Sequence, residues 1–299
     1  MICSPDSIIA VTGPTASGKT ALAVSIARQT DGEIISADSR QVYRRMDIGT
    51  GKDLSEYGEI PYHLIDICEP GEKYNLHRYI KDFHKALASI RSRGKQPILC
   101  GGTGLYLESV LSGISLPDVP QNPELRAALK EKSLEELECI LREYKTLHNT
   151  TDVDTRSRAI RAIEIEEYYQ SNPEEARNAS RNSATPLPHR LLLIDISRDL
   201  RRSRISKRLE ARLEQGMVQE IESLLKEGIP AEDLIYYGLE YKYVTLFLLG
   251  RLSFKEMKDR LEIEIHKFAK RQMTWFRGME RRGFSFLKVP FEELGHFAV

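Results

Sequence analysis

Residues 13 to 20 read Gly-Pro-Thr-Ala-Ser-Gly-Lys-Thr, and no other stretch narrows the possible folds as much. An apolar run, Ile8 to Val11, precedes this loop, and a helix candidate, Thr20 to Arg28, follows it. A glycine-rich turn between a buried strand and a helix makes a phosphate cradle. Gly13 and Gly18 let backbone N–H groups turn inward onto an anion, the helix N-terminus adds positive potential, and Lys19 adds a full charge. Pro14, Thr15, Ala16 and Ser17 complete the cradle, and Thr20 is placed to hold a Mg2+ ion. The loop alone leaves open which phosphate compound it takes, ATP included.

A second strand candidate, Glu33 to Ser36, leads into the polar stretch Ala37 to Lys52. In an open parallel sheet the carboxyl ends of the strands face the ligand crevice, so Asp38 is expected near the phosphate compound as a general base or metal ligand. An aspartate that merely caps the next turn is the competing structural reading. A third strand candidate, Pro97 to Cys100, runs into Gly101-Gly102-Thr103-Gly104 and a helix start at Leu105. Two adjacent glycines there imply close backbone approach by a ligand.

Leu76, Tyr79, Ile80, Phe83, Leu87 and Ile90 repeat at helical spacing between strand candidates at His63 to Ile67 and Pro97 to Cys100. That is a β-α-β crossover, hence an α/β fold with a parallel sheet of the P-loop NTPase type. From about Pro117 the pattern becomes purely helical, with Asn122-Pro123 as a cap and first-turn proline, Ser133-Leu134-Glu135-Glu136 as a capping box and a third helix over Thr155 to Tyr169. A buried-strand pattern returns at Leu191 to Ile196. The expected organisation is a catalytic core of residues 1–116 and 188–299, including the C-terminal helices, with a helical insertion domain over 117–187.

The 299 residues are 41% hydrophobic and 29% charged, without an apolar run long enough to span a bilayer or a secretion signal, so a cytoplasmic protein is expected. Cys3, Cys68, Cys100 and Cys139 show neither zinc spacing nor disulfide logic and read as reduced thiols. Formal net charge is zero from 44 basic and 44 acidic residues, yet the cations cluster. Arg201, Arg202, Arg204, Lys207, Arg208 and Arg212 crowd one helix candidate, and Lys267, Lys270, Arg271, Arg277, Arg281 and Arg282 crowd another. Such stripes grip a phosphate backbone or are solvated helix faces.

These signatures, with Pro61-Tyr62-His63-Leu64-Ile65-Asp66, Arg161-Ala162-Ile163-Glu164 and Ala269-Lys270-Arg271-Gln272-Met273-Thr274-Trp275-Phe276-Arg277, resemble the tRNA dimethylallyltransferases of bacterial type over Val11 to about Arg277. The resemblance implies transfer of a dimethylallyl group from dimethylallyl diphosphate to N6 of adenosine 37, beside the anticodon, with Mg2+ and release of diphosphate. It implies that the insertion and the C-terminal helices hold the anticodon stem-loop from either side. It makes Asp38, Lys19 and Thr20 catalytic, and Arg208 a diphosphate contact beside the cradle residues Gly13 to Thr20. It places Asp38, Ser39, Arg40, Gln41, Thr103, Arg126, Lys270 and Arg271 at the tRNA. A monomer is the default expectation. A P-loop kinase using Asp38 to activate a hydroxyl, or a prenyltransferase acting on free adenine nucleotides, is the alternative. The chain departs from the family pattern at Ile265-His266, at Gly238 to Lys242, at Asp154 and at Arg212, which stands where methionine is common.

Overall fold

The computed structural model describes residues 5–114, 116, 119–147, 151–176 and 185–298. Cys3, Pro117 and most of the polar stretch before Pro186 lie outside the described residues, while Cys68, Cys100 and Cys139 are free thiols. The chain divides into two compact units, residues 1–114 with 186–299, and residues 115–185.

The larger unit is built on a six-stranded sheet of β1 (Ile8–Thr12), β2 (Gly32–Ser36), β3 (Tyr62–His63), β4 (Gln96–Gly101), β5 (His189–Asp195) and β6 (Phe286–Pro290). Their order is β3-β2-β4-β1-β5-β6, and every pairing is parallel. Every residue of β1, β2 and β4 is buried. Strands covered on both faces need continuous apolar runs, which is why the sequence reads as blocks rather than alternation. On one face α1 (Lys19–Thr30) packs Leu22, Ala23 and Ile26 into a core with Ile9, Val11, Ile34, Ile98, Leu192 and Ile194. The crossover helix α2 (Leu76–Ser92) is capped by Asn75, whose side chain accepts from the Arg78 N–H at 2.9 Å, and buries Tyr79, Phe83, Leu87 and Ile90. Tyr79 stacks on Tyr106 of α3 (Gly104–Leu111), ring centroids 3.9 Å apart.

Two elements differ from the sequence reading. The strand expected over His63 to Ile67 is confined to Tyr62–His63, because Leu64 (φ 62°) and Asp66 (φ 55°) adopt left-handed conformations that end the pairing. The sixth strand, β6, pairs with β5 at the sheet edge; only Val289 of its five residues is buried, so it carries no alternating pattern to read.

The smaller unit holds α4 (Pro123–Leu129), α5 (Leu134–Tyr144) and α6 (Arg156–Ser171) around Leu129, Leu137, Leu141, Ala159 and Ile163. Asn122 caps α4 ahead of its first-turn proline, and Ser133 with Glu136 forms the capping box of α5. The larger unit continues after β5 with α7 (Arg198–Glu214), α8 (Met217–Lys226), α9 (Ala231–Tyr236), α10 (Leu239–Leu248) and the long α11 (Phe254–Arg281).

Because β1, β4 and β2 are parallel and adjacent, the loops that leave their carboxyl ends emerge at one sheet edge. Strands lie about 4.8 Å apart, so the loops after β1 and β2 start roughly 10 Å apart with the β4 loop between them.

Candidate active site

The loop after β1 folds as a cradle. Ala16 (φ 60°) and Gly18 (φ 86°) take left-handed conformations, which turn the chain back toward the start of α1. Ser17 is fully buried, and its Oγ has no hydrogen-bond partner. The Lys19 Nζ donates to the carbonyl of Pro14 at 2.9 Å, arching over the loop. Burial, with Arg208 nearby, lowers the Lys19 pKa to about 8 against the opposing pull of Cys100 and Asp38. Its charge is therefore held at a cost that an anion would relieve.

After β2, the Asp38 Oδ1 accepts from the Arg40 N–H at 2.8 Å. The cap that the sequence offered as a rival role exists, and the same side chain lines the cleft. The Thr103 Oγ1 accepts from the Ser39 N–H at 3.1 Å, tying this loop to the one after β4. Gln41 reaches the Gly51 carbonyl at 3.1 Å, and Arg40 lies over the ring of Tyr236 at 5.3 Å.

The glycines at and after the end of β4 are met closely by the protein's own chain. A Cβ on Gly101 would overlap the backbone of Ala37, one on Gly102 would meet the Gln272 amide, and one on Gly104 would enter the Trp275 ring. They admit the protein's own chain at close range, and Gly102 and Gly104 also line the cleft. Gln272, on α11, joins the loops: its Oε1 accepts from the Thr15 N–H at 2.8 Å and its Nε2 donates to the Gly102 carbonyl at 2.9 Å. Only 7% exposed, Gln272 was visible in the sequence only as one residue of the Ala269 to Arg277 run, although Phe268, Arg271, Gln272 and Trp275 share a helical face.

The basic stripe of α7 turns partly inward. Arg204 donates to the Ala16 carbonyl at 2.8 Å and lies over Phe291 at 4.8 Å. Arg208 pairs with Asp53 at 3.0 Å. Arg212 is buried, with its Nη2 unpartnered. These three follow an i, i+4, i+8 spacing, so the solvated-face reading fails for them.

Together these residues line one cleft of about 950 Å³ in the larger unit, holding Thr15 to Thr20, Asp38 to Gln41, Thr103, Arg208 and Arg271. Gly13 and Pro14 are buried loop residues outside that lining. Lys270 is exposed on α11 outside that lining. Arg126 belongs to the smaller unit, where its fork grips the buried Glu164 at 2.8 and 2.9 Å. Burial alone would raise the Glu164 pKa; hydrogen bonds from Arg126, Arg161 and the Asn122 N–H outweigh it and hold it at about 2. Arg126 thus forms an ion pair with Glu164 that no local motif announced, with its side chain still 36% exposed. Among the described residues no group of three or more His, Cys, Asp or Glu side chains forms a metal site, and no helix is long and apolar enough to cross a membrane.

A parallel sheet with an amide cradle, a lysine and a carboxylate at its carboxyl edge defines a P-loop enzyme acting on a phosphate compound. Comparison with known proteins narrows the class. The family model described as IPP transferase matches residues 41–279, and that described as Isopentenyl transferase matches residues 6–59. A tRNA dimethylallyltransferase 1 of Parabacteroides distasonis is 60% identical, the match covering 92% of this chain and 90% of that protein. The full-length tRNA isopentenylpyrophosphate transferase of Bacillus halodurans has a similar crystal structure, with TM-score 0.69 and 30% identity over 96% of this chain and 90% of that one. A eukaryotic dimethylallyltransferase acting on tRNA shares the fold, with TM-score 0.80 at 22% identity over 97% of this chain and 75% of that one. The chain belongs to the IPP transferase family.

Gln272→Ala leaves the part-buried Thr15 N–H and the buried Gly102 carbonyl without their partner at the meeting point of two site loops. Each unsatisfied group costs about 1–3 kcal/mol, so urea denaturation should show unfolding free energy reduced by at least that amount. A change within a few tenths of a kcal/mol would contradict the bridging role.

Proposed function

We propose that this chain transfers a dimethylallyl group from dimethylallyl diphosphate to N6 of an adenosine in tRNA, adenosine 37 beside the anticodon. Prenylation of tRNA is the activity carried in the names of its relatives. The observation that supports the chemistry here is that Lys19 and Asp38 share one cleft, anion cradle on one side and carboxylate on the other.

The donor diphosphate lies on the loop amides after β1. As the bond from the allylic carbon to oxygen breaks, negative charge grows on the departing diphosphate, and preorganised N–H groups with Lys19 stabilise it without reorganising. The exocyclic amine of adenine attacks the allylic carbon. Its lone pair is delocalised into the ring, so a base must take its proton as the new C–N bond forms, and Asp38 has that role. The Arg40 N–H fixes one carboxylate oxygen, which leaves the other to accept the proton. Ser39 to Gln41 and Thr103 hold this loop beside the target base.

The donor set suits Mg2+ held mainly through substrate phosphates rather than in a protein cage. Thr20 lines the cleft, the Ser17 Oγ is buried without a partner, and Asp38 is the carboxylate on the β2 loop. Thr20 is the proposed protein ligand, and the bound ion would neutralise charge on the leaving diphosphate.

A base must leave its stack to reach the cleft, which costs a few kcal/mol and least in an unpaired loop. Tyr236, Phe268 and Trp275 are exposed aromatic side chains lining the cleft, and stacking on such rings recovers about 1–3 kcal/mol per base. Lys270 and Arg271 are exposed on α11 for the phosphate backbone, and the smaller unit is the proposed second tRNA contact. Arg126 serves there by shaping α4 against α6 through Glu164. Arg201 adds to the positive field, its pKa lowered by burial and by Arg198, Arg277 and Arg202. The chain is proposed to act as a monomer in the cytoplasm.

Asp38→Asn should leave donor and tRNA binding nearly intact while slowing single-turnover transfer by about 10²- to 10⁴-fold. Near-normal transfer by that variant would remove Asp38 as the base. Lys19 gives a pH signature. Its folded pKa of about 8 means that the free enzyme loses the cradle's charge as pH rises through that value. The donor kcat/KM, which reports the free enzyme, should fall above about pH 8, whereas kcat, which reports the loaded enzyme, should not. A donor kcat/KM that stays flat well above this pH would contradict the role of Lys19.

A further inference from the structure

Arg212 is a buried cation whose guanidinium lacks a hydrogen-bonded partner. It is 8% exposed, and its Nη2 makes no hydrogen bond. The nearest carboxylates are Asp53, 3.9 Å from Nη2, and Glu240, 3.8 Å from Nη1, both beyond hydrogen-bonding distance. The same chain shows what an arginine staple looks like: Arg126 closes on Glu164 at 2.8 and 2.9 Å, and Arg93 on Glu33 at 3.0 and 2.7 Å. Arg212 has no such closure. Burial and the neighbouring Arg208 lower its pKa to about 10, so its charge is maintained against desolvation and against a like charge.

The surroundings point to an anion. Arg208 lies one turn earlier on α7, and the Nη2 atoms of both arginines converge over Gly51, where any Cβ would collide with them. Asp53 bridges the pair, 3.0 Å from Arg208 and 3.9 Å from Arg212. Its backbone belongs to a loop held firmly elsewhere. Lys52 Nζ donates to the Tyr43 carbonyl and to Asp47, each at 2.6 Å, and Glu220 accepts from the N–H groups of Asp47, Ile48 and Gly49 at 2.8, 2.7 and 3.0 Å. The Asp53 side chain itself is 44% exposed and can leave by rotating into solvent. Arg208 and Arg212 both line the cleft that holds the cradle.

We infer that Arg212 is a second guanidinium ligand of the diphosphate, acting with Arg208, and that Asp53 is an internal placeholder which the diphosphate displaces. This rests on the reading of the cleft as a diphosphate site. A diphosphate has two phosphoryl groups: the loop amides and Lys19 address one, and the paired forks match the oxygens of the other. Free of substrate, Asp53 partly neutralises the two cations; its single carboxylate satisfies Arg208 and leaves Arg212 short of a bond that a larger anion completes.

Calorimetric titration of the full chain with inorganic diphosphate tests this. Arg212→Met keeps the volume and removes the fork; loss of a hydrogen bond to a charged group should weaken binding about 10- to 100-fold. Its melting temperature should change little, because Arg212 makes no hydrogen bond and its carboxylate neighbours Asp53 and Glu240 stand 3.9 and 3.8 Å away. Arg212→Lys, which retains charge without the fork, should bind between the two, and Asp53→Asn should bind more tightly than the parent. Unchanged diphosphate affinity in Arg212→Met with a lower melting temperature would make Arg212 a structural staple and overturn the assignment. Lys19→Ala separates the two levels of failure: if it weakens binding while Arg212→Met does not, only the role of Arg212 falls. If neither weakens binding, the diphosphate reading of the cleft falls with it.

Discussion

The chemistry depends on one backbone contact, the crossing of Gly101 over Ala37. The Ala37 N–H donates to the Cys100 carbonyl at 2.7 Å, and the Ala37 carbonyl accepts from the Thr103 N–H at 3.1 Å. The parallel ladder of β2 and β4 thus continues past the strand ends into the site loops. A side chain on Gly101 would drive the two backbones apart. Because β4 is also hydrogen-bonded to β1, any such displacement would pass to the cradle. The roughly 10 Å between the starts of the loops that carry cradle and carboxylate is therefore set by two strand spacings.

Upon that frame the molecule concentrates charge that its composition conceals. A chain with no formal net charge gathers Lys19, Arg204, Arg208 and Arg212 around one cleft. Burial depresses the pKa of both Lys19 and Arg212, a sign that these cations are held in place at a cost to stability. Electrostatic preorganisation of that kind favours whatever anion forms as the reaction proceeds, and a departing diphosphate is such an anion. Gln272 contributes differently, as a neutral bridge that fixes the loop after β1 against the loop after β4.

What could be read from the chain follows from how local each constraint is. Gly13 to Thr20 announces its geometry because a strand, a turn with left-handed residues and a helix start are all encoded within a few positions. The α2 helix is legible because Tyr79, Phe83, Leu87 and Ile90 keep one face buried, and the caps Asn122 and Ser133 because each bonds three residues along its own chain. The end of β3 was not legible, since the left-handed turn at Leu64 uses a residue with no preference for it. Nor was the pairing of Arg126 with Glu164, or the convergence of Arg208 and Arg212 on Gly51, because these join residues brought together only by tertiary folding. The adjacent glycines Gly101 and Gly102 were visible and announced a close approach, but not that the protein's own backbone and Gln272 would make one.

The central claim is that the cradle serves a leaving diphosphate and the carboxylate an attacking adenine. The most direct measurement supplies purified chain with allyl-labelled dimethylallyl diphosphate, Mg2+ and unmodified tRNA in the complete absence of ATP, then digests the tRNA and identifies the labelled nucleoside. Label in N6-dimethylallyladenosine, with one diphosphate released for each modified residue, is the expected result. Label confined to free adenine nucleotides, or transfer that requires ATP, would contradict the account.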